Sequence, residues 1–224
     1  MKRHGLILFV KAPGAEAIKS RLAKTIGDAH ARRLYHNFVL DLVDEMDRGG
    51  LSLQIFFDPP DGRDGMTAWL GKDRSYEPQK GAGLGEKMAH AFEKCFSEGY
   101  DALILMGSDL PDLPAAMIEQ GFAHLEKSDA VIGPALDGGY YLIGFRAAAF
   151  SPDAFTAIPW GQSDVYEITC RIIRDRRLRL SVLPPWRDMD TIEDLRALMD
   201  KHAGTPFAKS KTIQYIQAEK LLDQ

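Results

Sequence analysis

Three groups of residues in this chain have the types and spacing to handle a phosphorylated ligand. The first is basic. Lys11, Lys19 and Arg21 fall in and after the loop Lys11-Ala12-Pro13-Gly14, which ends an apolar run. Cations around a strand end, with one at the start of a helix, suit a phosphate cradle. A solvated basic loop explains the same pattern. A G-x-x-x-x-G-K loop is absent. The second group is acidic. Asp109 follows the apolar run Leu103-Ile104-Leu105-Met106, and Asp188 and Asp190 stand two apart. Residues two apart on an extended segment face the same side. Their hard carboxylate oxygens are what Mg²⁺ or Mn²⁺ selects. Helix capping is the alternative for each of these acids, and for Asp112, between Pro111 and Pro114, it is the preferred reading.

The third group is rich in glycine. Gly81-x-Gly83-x-Gly85 opens a helical pattern, where glycines allow a ligand close to backbone and a helix start favours an anion. A plain flexible loop fits equally well. Asp137-Gly138-Gly139 is a tight-turn signal between two strands. It also leaves backbone open to a sugar, with Asp137 free to accept from hydroxyls. Trp160 could stack on such a ligand or serve the core. The histidines are scattered without ligand spacing, and no Ser-His-Asp or Cys-His arrangement emerges.

These groups need a scaffold, and the apolar pattern supplies one. Residues 5–10, 51–57, 75–79, 101–106, 129–134, 138–145 and 178–183 read as strands. Between most of them lie helical patterns. The longest starts near Asp28 and carries Leu34, Phe38, Leu42 and Met46 on one face. Thr191 with Asp194 three residues on reads as a capping box. Strands alternating with helices predict an α/β fold, a Rossmann-like three-layer sandwich with a mostly parallel sheet. The pair of strands joined at Asp137 has no helix between, so the sheet is expected to be mixed. Carboxylates and cations at strand ends then fall where open α/β sheets bind ligands.

Composition narrows the classes. The chain has 224 residues, 45% hydrophobic and 27% charged, with net charge -4. That balance gives no reason to expect nucleic acid, which selects basic surfaces. Cys95 and Cys170 sit at apolar helical positions and read as reduced and buried. No segment is long enough to span a bilayer. A cytoplasmic protein with one domain over residues 1–202, followed by a tail or helix over 203–224, is the expectation.

Taken together, the segments VKAPGAEAIKSRLA, QKGAGLGEKM, LMGSDLPDL, GPALDGGYYLIGF, IPWGQSDV and RDMDTIEDL resemble a bacterial family of candidate glycosyltransferases. That family belongs to the nucleotide-diphospho-sugar transferase superfamily, of the glycosyltransferase A fold. It is related to phospholactate guanylyltransferases and, more distantly, to molybdenum-cofactor nucleotidyltransferases. The resemblance implies a nucleotide site at the first-strand loop, with Lys11, Lys19, Arg21, Gly83, Gly85 and Ser108 on the nucleotide side. It implies a metal on Asp109, with Asp188 and Asp190 as co-ligands. Asp137, Gly138, Gly139 and Trp160 fall on the acceptor or sugar side. Asp109, Lys19 and Arg21 are the candidates for catalysis, and Asp137 and Asp164 for a general base. One departure stands out: Ala15 and Glu16 occupy loop positions where the family has Pro-Gly, and Ser20 replaces a threonine.

The expected activity is therefore a metal-dependent transfer from an activated nucleotide, either a nucleotide sugar or a nucleoside triphosphate, to an unknown acceptor. Glycosyl transfer leads, nucleotidyl transfer of the guanylyltransferase type is second, and a nucleotide-binding module without turnover is third.

Overall fold

The computed structural model describes residues 3–15 and 18–223. Glu16, the acidic departure in the first loop, lies outside the described residues. Strands β1 (His4–Lys11), β2 (Leu53–Asp58), β3 (Ser75–Pro78), β4 (Ala102–Met106), β5 (Ala130–Pro134), β6 (Tyr140–Arg146) and β7 (Leu180–Val182) form one sheet. Its order is β3-β2-β1-β4-β6-β5-β7. Only β6 runs against its neighbours β4 and β5, so the sheet is mixed but largely parallel, as the helix-free connection at Asp137 predicts.

Among the described residues eight helices cover the two faces: α1 (Ser20–Ile26), α2 (Asp28–Arg48), α3 (Arg63–Leu70), α4 (Leu84–Ser97), α5 (Ala115–Leu125), α6 (Val165–Asp175), α7 (Ile192–His202) and α8 (Lys211–Ala218). Strand side chains alternate between faces. Leu6, Leu8, Val10, Ile104 and Met106 join α1, α2, α5 and α7 in the larger core. Ile7, Leu103 and Leu105 join α4 and α6 in the smaller one. This is why the runs in β1 and β4 lack polar alternation: both faces are covered.

Several local readings are refined. The segment 146–161 contains two short 3-10 turns, Ala147–Ala149 and Pro152–Phe155. It places Phe150 and Phe155 5.1 and 5.9 Å from Phe92 of α4, ring centre to ring centre. β6 begins at Tyr140 rather than Gly138, because Asp137-Gly138-Gly139 is spent on the turn. The capping box at α7 is present: Asp194 N–H donates to Thr191 Oγ1, and Asp194 Oδ2 accepts from Thr191 N–H at 2.9 Å.

Asp112 does not cap α5, contrary to expectation. The Ala115 N–H is taken by Glu45 Oε1 at 3.1 Å. Asp112 points the other way and is buried, accepting from Trp186 Nε1 at 3.0 Å and Lys201 Nζ at 2.7 Å, with His202 Nε2 at 2.9 Å. α8 also packs on α2, and Asp41 of α2 accepts from the backbone N–H groups of Lys211 and Thr212 at 3.0 and 2.8 Å.

Candidate active site

A cleft of about 890 Å³ opens where β1 and β4 end and β6 begins. Lys11 is the last residue of β1 and is paired in register with Asp58, the last of β2. Parallel neighbours ending together put the Lys11 ammonium on Asp58 Oδ2 at 2.6 Å. Lys87, from the first turn of α4, takes the other oxygen at 3.1 Å. Burial works to raise the Asp58 pKa, but these two lysines outweigh it and hold it below the usual carboxylate range. One carboxylate thus keeps two cations at the rim of the cleft.

On the far side of β1, Lys19 sits just before α1 with left-handed backbone angles, φ 54° and ψ 48°. Its side chain is only 4% exposed, and Nζ lies 2.9 Å from Asp109 Oδ1 and 2.7 Å from Asp190 Oδ1. Arg21 pairs with the second oxygen of Asp190. Burial opposes the charge on Lys19, yet the two carboxylates prevail and its pKa is raised.

The acidic segment is held from both ends. Met189 N–H donates to the Asp109 carbonyl at 3.0 Å, and Trp186 N–H to the Pro134 carbonyl at 3.0 Å. β7 has already ended at Val182, so Asp188 and Asp190 lie on an extended stretch beyond it, not at the strand tip. Met189 between them is buried in the larger core, which turns both carboxylates to the opposite side. There they meet Asp137. One oxygen from each of Asp137, Asp188 and Asp190 lies within 4.8 Å of the others. Among the described residues this trio is the cluster with metal-ligand spacing, and Asp109, the expected first ligand, is not part of it. Asp109 adjoins the trio through Lys19. The Asp188 pKa is pushed up to about 6, first by burial and then by Asp190 and Asp137. Hard carboxylates crowded until one resists ionising suit a divalent cation, which would relieve that repulsion.

The remaining expected residues divide. Ser108 is buried at the cleft floor, its Oγ 2.8 Å from Tyr35 Oη. Tyr35 itself accepts the Lys11 N–H at 2.7 Å, and burial together with Asp109 raises its pKa. Gly83 faces the cleft with open space where a Cβ would stand. Gly85 does not face it: a Cβ there would come within 2.6 Å of the Phe155 carbonyl and 3.1 Å of Trp160 Nε1. Its smallness serves packing. Trp160 lines the cleft and also packs against the smaller core, resting edge-on against Tyr140 at 6.2 Å. Gly138 has φ +92° and lies against the Ser163 backbone. Gly139 N–H donates to Asp137 Oδ1 at 2.9 Å, fixing that acid in its turn. Asp164 stands just before α6 without a side-chain cap bond.

Asp58 and Tyr35 carry no site reading from the sequence alone. Asp58 sits at a strand end and carried a usable signal; Tyr35 looks like any apolar-face residue of a long helix.

The mixed seven-stranded sheet with helices on both faces matches the fold of nucleotide-diphospho-sugar transferase structures. The chain belongs to the DUF2064 family, described as uncharacterized proteins conserved in bacteria, whose model matches residues 42–162. It is 40% identical to a candidate nucleotide-diphospho-sugar transferase from Desulfovibrio desulfuricans, covering 100% of this chain and 98% of that one, with a TM-score of 0.95. CMP:2-keto-3-deoxy-manno-octonic acid synthetase complexed with CTP aligns over 90% of this chain and 100% of its own, at 9% identity and a TM-score of 0.56. A Mycobacterium tuberculosis protein in complex with manganese aligns over 89% and 98%, at 13% identity and a TM-score of 0.51. These two distant structures share the fold. No curated protein sequence matches the chain. No helix among the described residues is long and apolar enough to cross a membrane.

Proposed function

We propose that the protein is a metal-dependent transferase that takes an activated nucleotide, with a nucleotide sugar as donor. The observation that carries this reading is the gathering of opposite charges at one cleft: Lys11, Arg21, Lys87, Asp109 and Asp137 line it, and Lys19, Asp188 and Asp190 stand directly beside those acids. Lys11, Lys87, Lys19 and Arg21 supply cations, and Asp137, Asp188 and Asp190 supply hard oxygen ligands within 4.8 Å. A diphosphate with its counter-ion needs both. The carboxylate trio, with Asp109 beside it, would hold Mg²⁺ or Mn²⁺, and the bound ion would neutralise charge gathering on the leaving diphosphate. The manganese complex of the M. tuberculosis protein agrees with such an ion.

The chain's own groups do the rest. Lys11 and Lys87 flank the path to the floor of the cleft, where phosphate oxygens would find them. The Tyr35 hydroxyl accepts from Lys11 N–H and shares a hydrogen bond with Ser108, which holds the Ser108 hydroxyl at the cleft floor within reach of a ligand oxygen. Trp160 and Tyr140 form an aromatic wall suited to a sugar ring. With Asp137 committed to the ion, Asp164, exposed just before α6, is the candidate base for an acceptor hydroxyl.

Nucleotidyl transfer is the second reading. The positive charge at Asp58 extends from β1 to α4, room enough for a triphosphate, and the CTP complex of the distant synthetase fits that use.

A thermal-shift panel of nucleoside triphosphates and nucleotide sugars, each with and without Mn²⁺, tests the proposal. A ligand at a hundred times its dissociation constant adds about 2.7 kcal/mol to stability. Absence of any shift across the panel would overturn it. Release of pyrophosphate in the presence of an acceptor phosphate would choose nucleotidyl transfer; release of a nucleoside diphosphate would choose glycosyl transfer.

A further inference from the structure

Asp190 is engaged on both oxygens. Lys19 Nζ lies 2.7 Å from Oδ1, and Arg21 pairs with Oδ2. The same Lys19 ammonium is 2.9 Å from Asp109 Oδ1. A single buried cation therefore bridges carboxylates from two segments, beside the trio that has the spacing of a metal site. Asp190 belongs to both arrangements. A divalent ion bound through Asp190 would place like charges a few ångströms apart where little water screens them, and such repulsion is strong. Lys19 thus opposes the ion unless its ammonium has somewhere else to go.

We propose that Lys19 is a built-in counter-cation. It makes the acidic cluster a poor site for a bare divalent ion and a good one for a divalent ion that arrives with a polyphosphate. Phosphate oxygens give the ammonium a new partner as it leaves Asp190, and Arg21 beside it gains the same option. The position of Lys19 favours this exchange. It stands on the connection between β1 and α1, outside the sheet. Its left-handed backbone, φ 54°, is one that residues other than glycine rarely hold. The proposal rests on reading Asp137, Asp188 and Asp190 as a metal site.

The test is manganese binding by the full chain, read by electron paramagnetic resonance of free Mn²⁺. Wild type, Lys19→Met and the charge-retaining Lys19→Arg are titrated with Mn²⁺ alone and with Mn²⁺–tripolyphosphate. Thermal unfolding confirms that each is folded, and Lys19→Gln is a second neutral variant should Met reduce the folded fraction. Removal of the charge should tighten binding of the bare ion roughly tenfold or more, while Lys19→Arg stays weak. The tripolyphosphate complex should bind wild type better than the neutral variants. If wild type and the neutral variants bind bare Mn²⁺ equally, the counter-cation role is wrong and the metal site stands. If no form binds Mn²⁺ with or without tripolyphosphate, the metal site itself fails, and the counter-cation role with it.

Discussion

The Trp186 indole donates to Asp112 Oδ1 at 3.0 Å, and this bond ties the loop after β4 to the segment that carries Asp188 and Asp190. Asp112 is 2% exposed and also receives Lys201 and His202 from the end of α7. Truncation to alanine would leave the Trp186 indole and His202 without their acceptor, while the half-exposed Lys201 could turn to water. Asp112→Ala should cost about 3 kcal/mol. That corresponds to a fall of roughly 6–12 °C in melting temperature for a domain of this size. Circular dichroism melts would show it, and an unchanged midpoint would remove Asp112 from its central place.

Asp112 also sets an acid limit. Burial raises its pKa, but His202, Lys201 and Trp186 together bring it below its ordinary 3.8. A group with a depressed folded pKa contributes stability that is complete above the unfolded value and is lost as pH falls through the folded one. The wild-type midpoint should therefore fall as pH drops below about 4. Asp112→Asn should start lower at neutral pH and fall less steeply, since other paired acids remain. Parallel acid limbs for the two proteins would contradict this.

Asp188 has the opposite sign. Burial, then Asp190 and Asp137, push its pKa up to about 6. The unfolded chain releases that proton earlier, so the metal-free protein loses this stability as pH rises from about 4 through about 6, and the loss is complete above that. Asp188→Asn should raise metal-free stability at pH 7.5 by about 1 kcal/mol once solvent screening is allowed for. The same change should abolish Mn²⁺ binding. In Lys19→Met, the form expected to bind the bare ion tightly, Mn²⁺ affinity should fall about tenfold from pH 7.5 to 5, because the ligand must lose its proton first. Calorimetric titration at the two pH values measures this. Equal affinities would exclude Asp188 as a ligand.

Gly138 should tolerate no side chain. Its φ is +92°, and a Cβ would sit 1.9 Å from the Ser163 carbonyl oxygen. Its own carbonyl accepts the Tyr166 N–H at 3.0 Å, which ties the turn to the start of α6. Gly138→Ala should cost about 1–3 kcal/mol and move Asp137 away from its two partners. The variant should bind Mn²⁺ less well than Gly139→Ala, where the nearest atom to a new Cβ is the Asp137 side chain at 3.2 Å. A stronger loss at Gly139 would reverse the argument.

Gly85→Ala should act on Trp160. The added methyl meets the Phe155 backbone at 2.6 Å, and backbone cannot give way as a side chain can. The indole on the other side should shift, changing its fluorescence and weakening whatever ring it faces. Unchanged emission in a folded variant would show that Gly85 does not set the Trp160 position.

Local rules made much of this molecule readable. The capping box at Thr191 and Asp194 depends on neighbours three residues apart, and it was visible as such. The unbroken run Leu103 to Met106 announced a strand covered on both faces, and the helix-free link at Asp137 announced the antiparallel β6. Basic and acidic residues at strand ends were visible too, because strand ends can be placed from periodicity. What each acid does there was not. Asp112 looks like a cap beside Pro111 and Pro114, yet its partners come from Trp186, Lys201 and His202. Asp109 looks like the leading metal ligand, yet its nearest partner is Lys19, while Asp137 stands with Asp188 and Asp190.

The sequence by itself determined the elements, the parallel character of the sheet and the edge at which charges gather, since these follow from short-range apolar spacing and turn chemistry. Only the tertiary structure decided the pairing of those charges. Carboxylates and ammonium groups act through distances of a few ångströms, and segments far apart in the chain reach such distances only when the sheet order brings β1, β4 and β6 together.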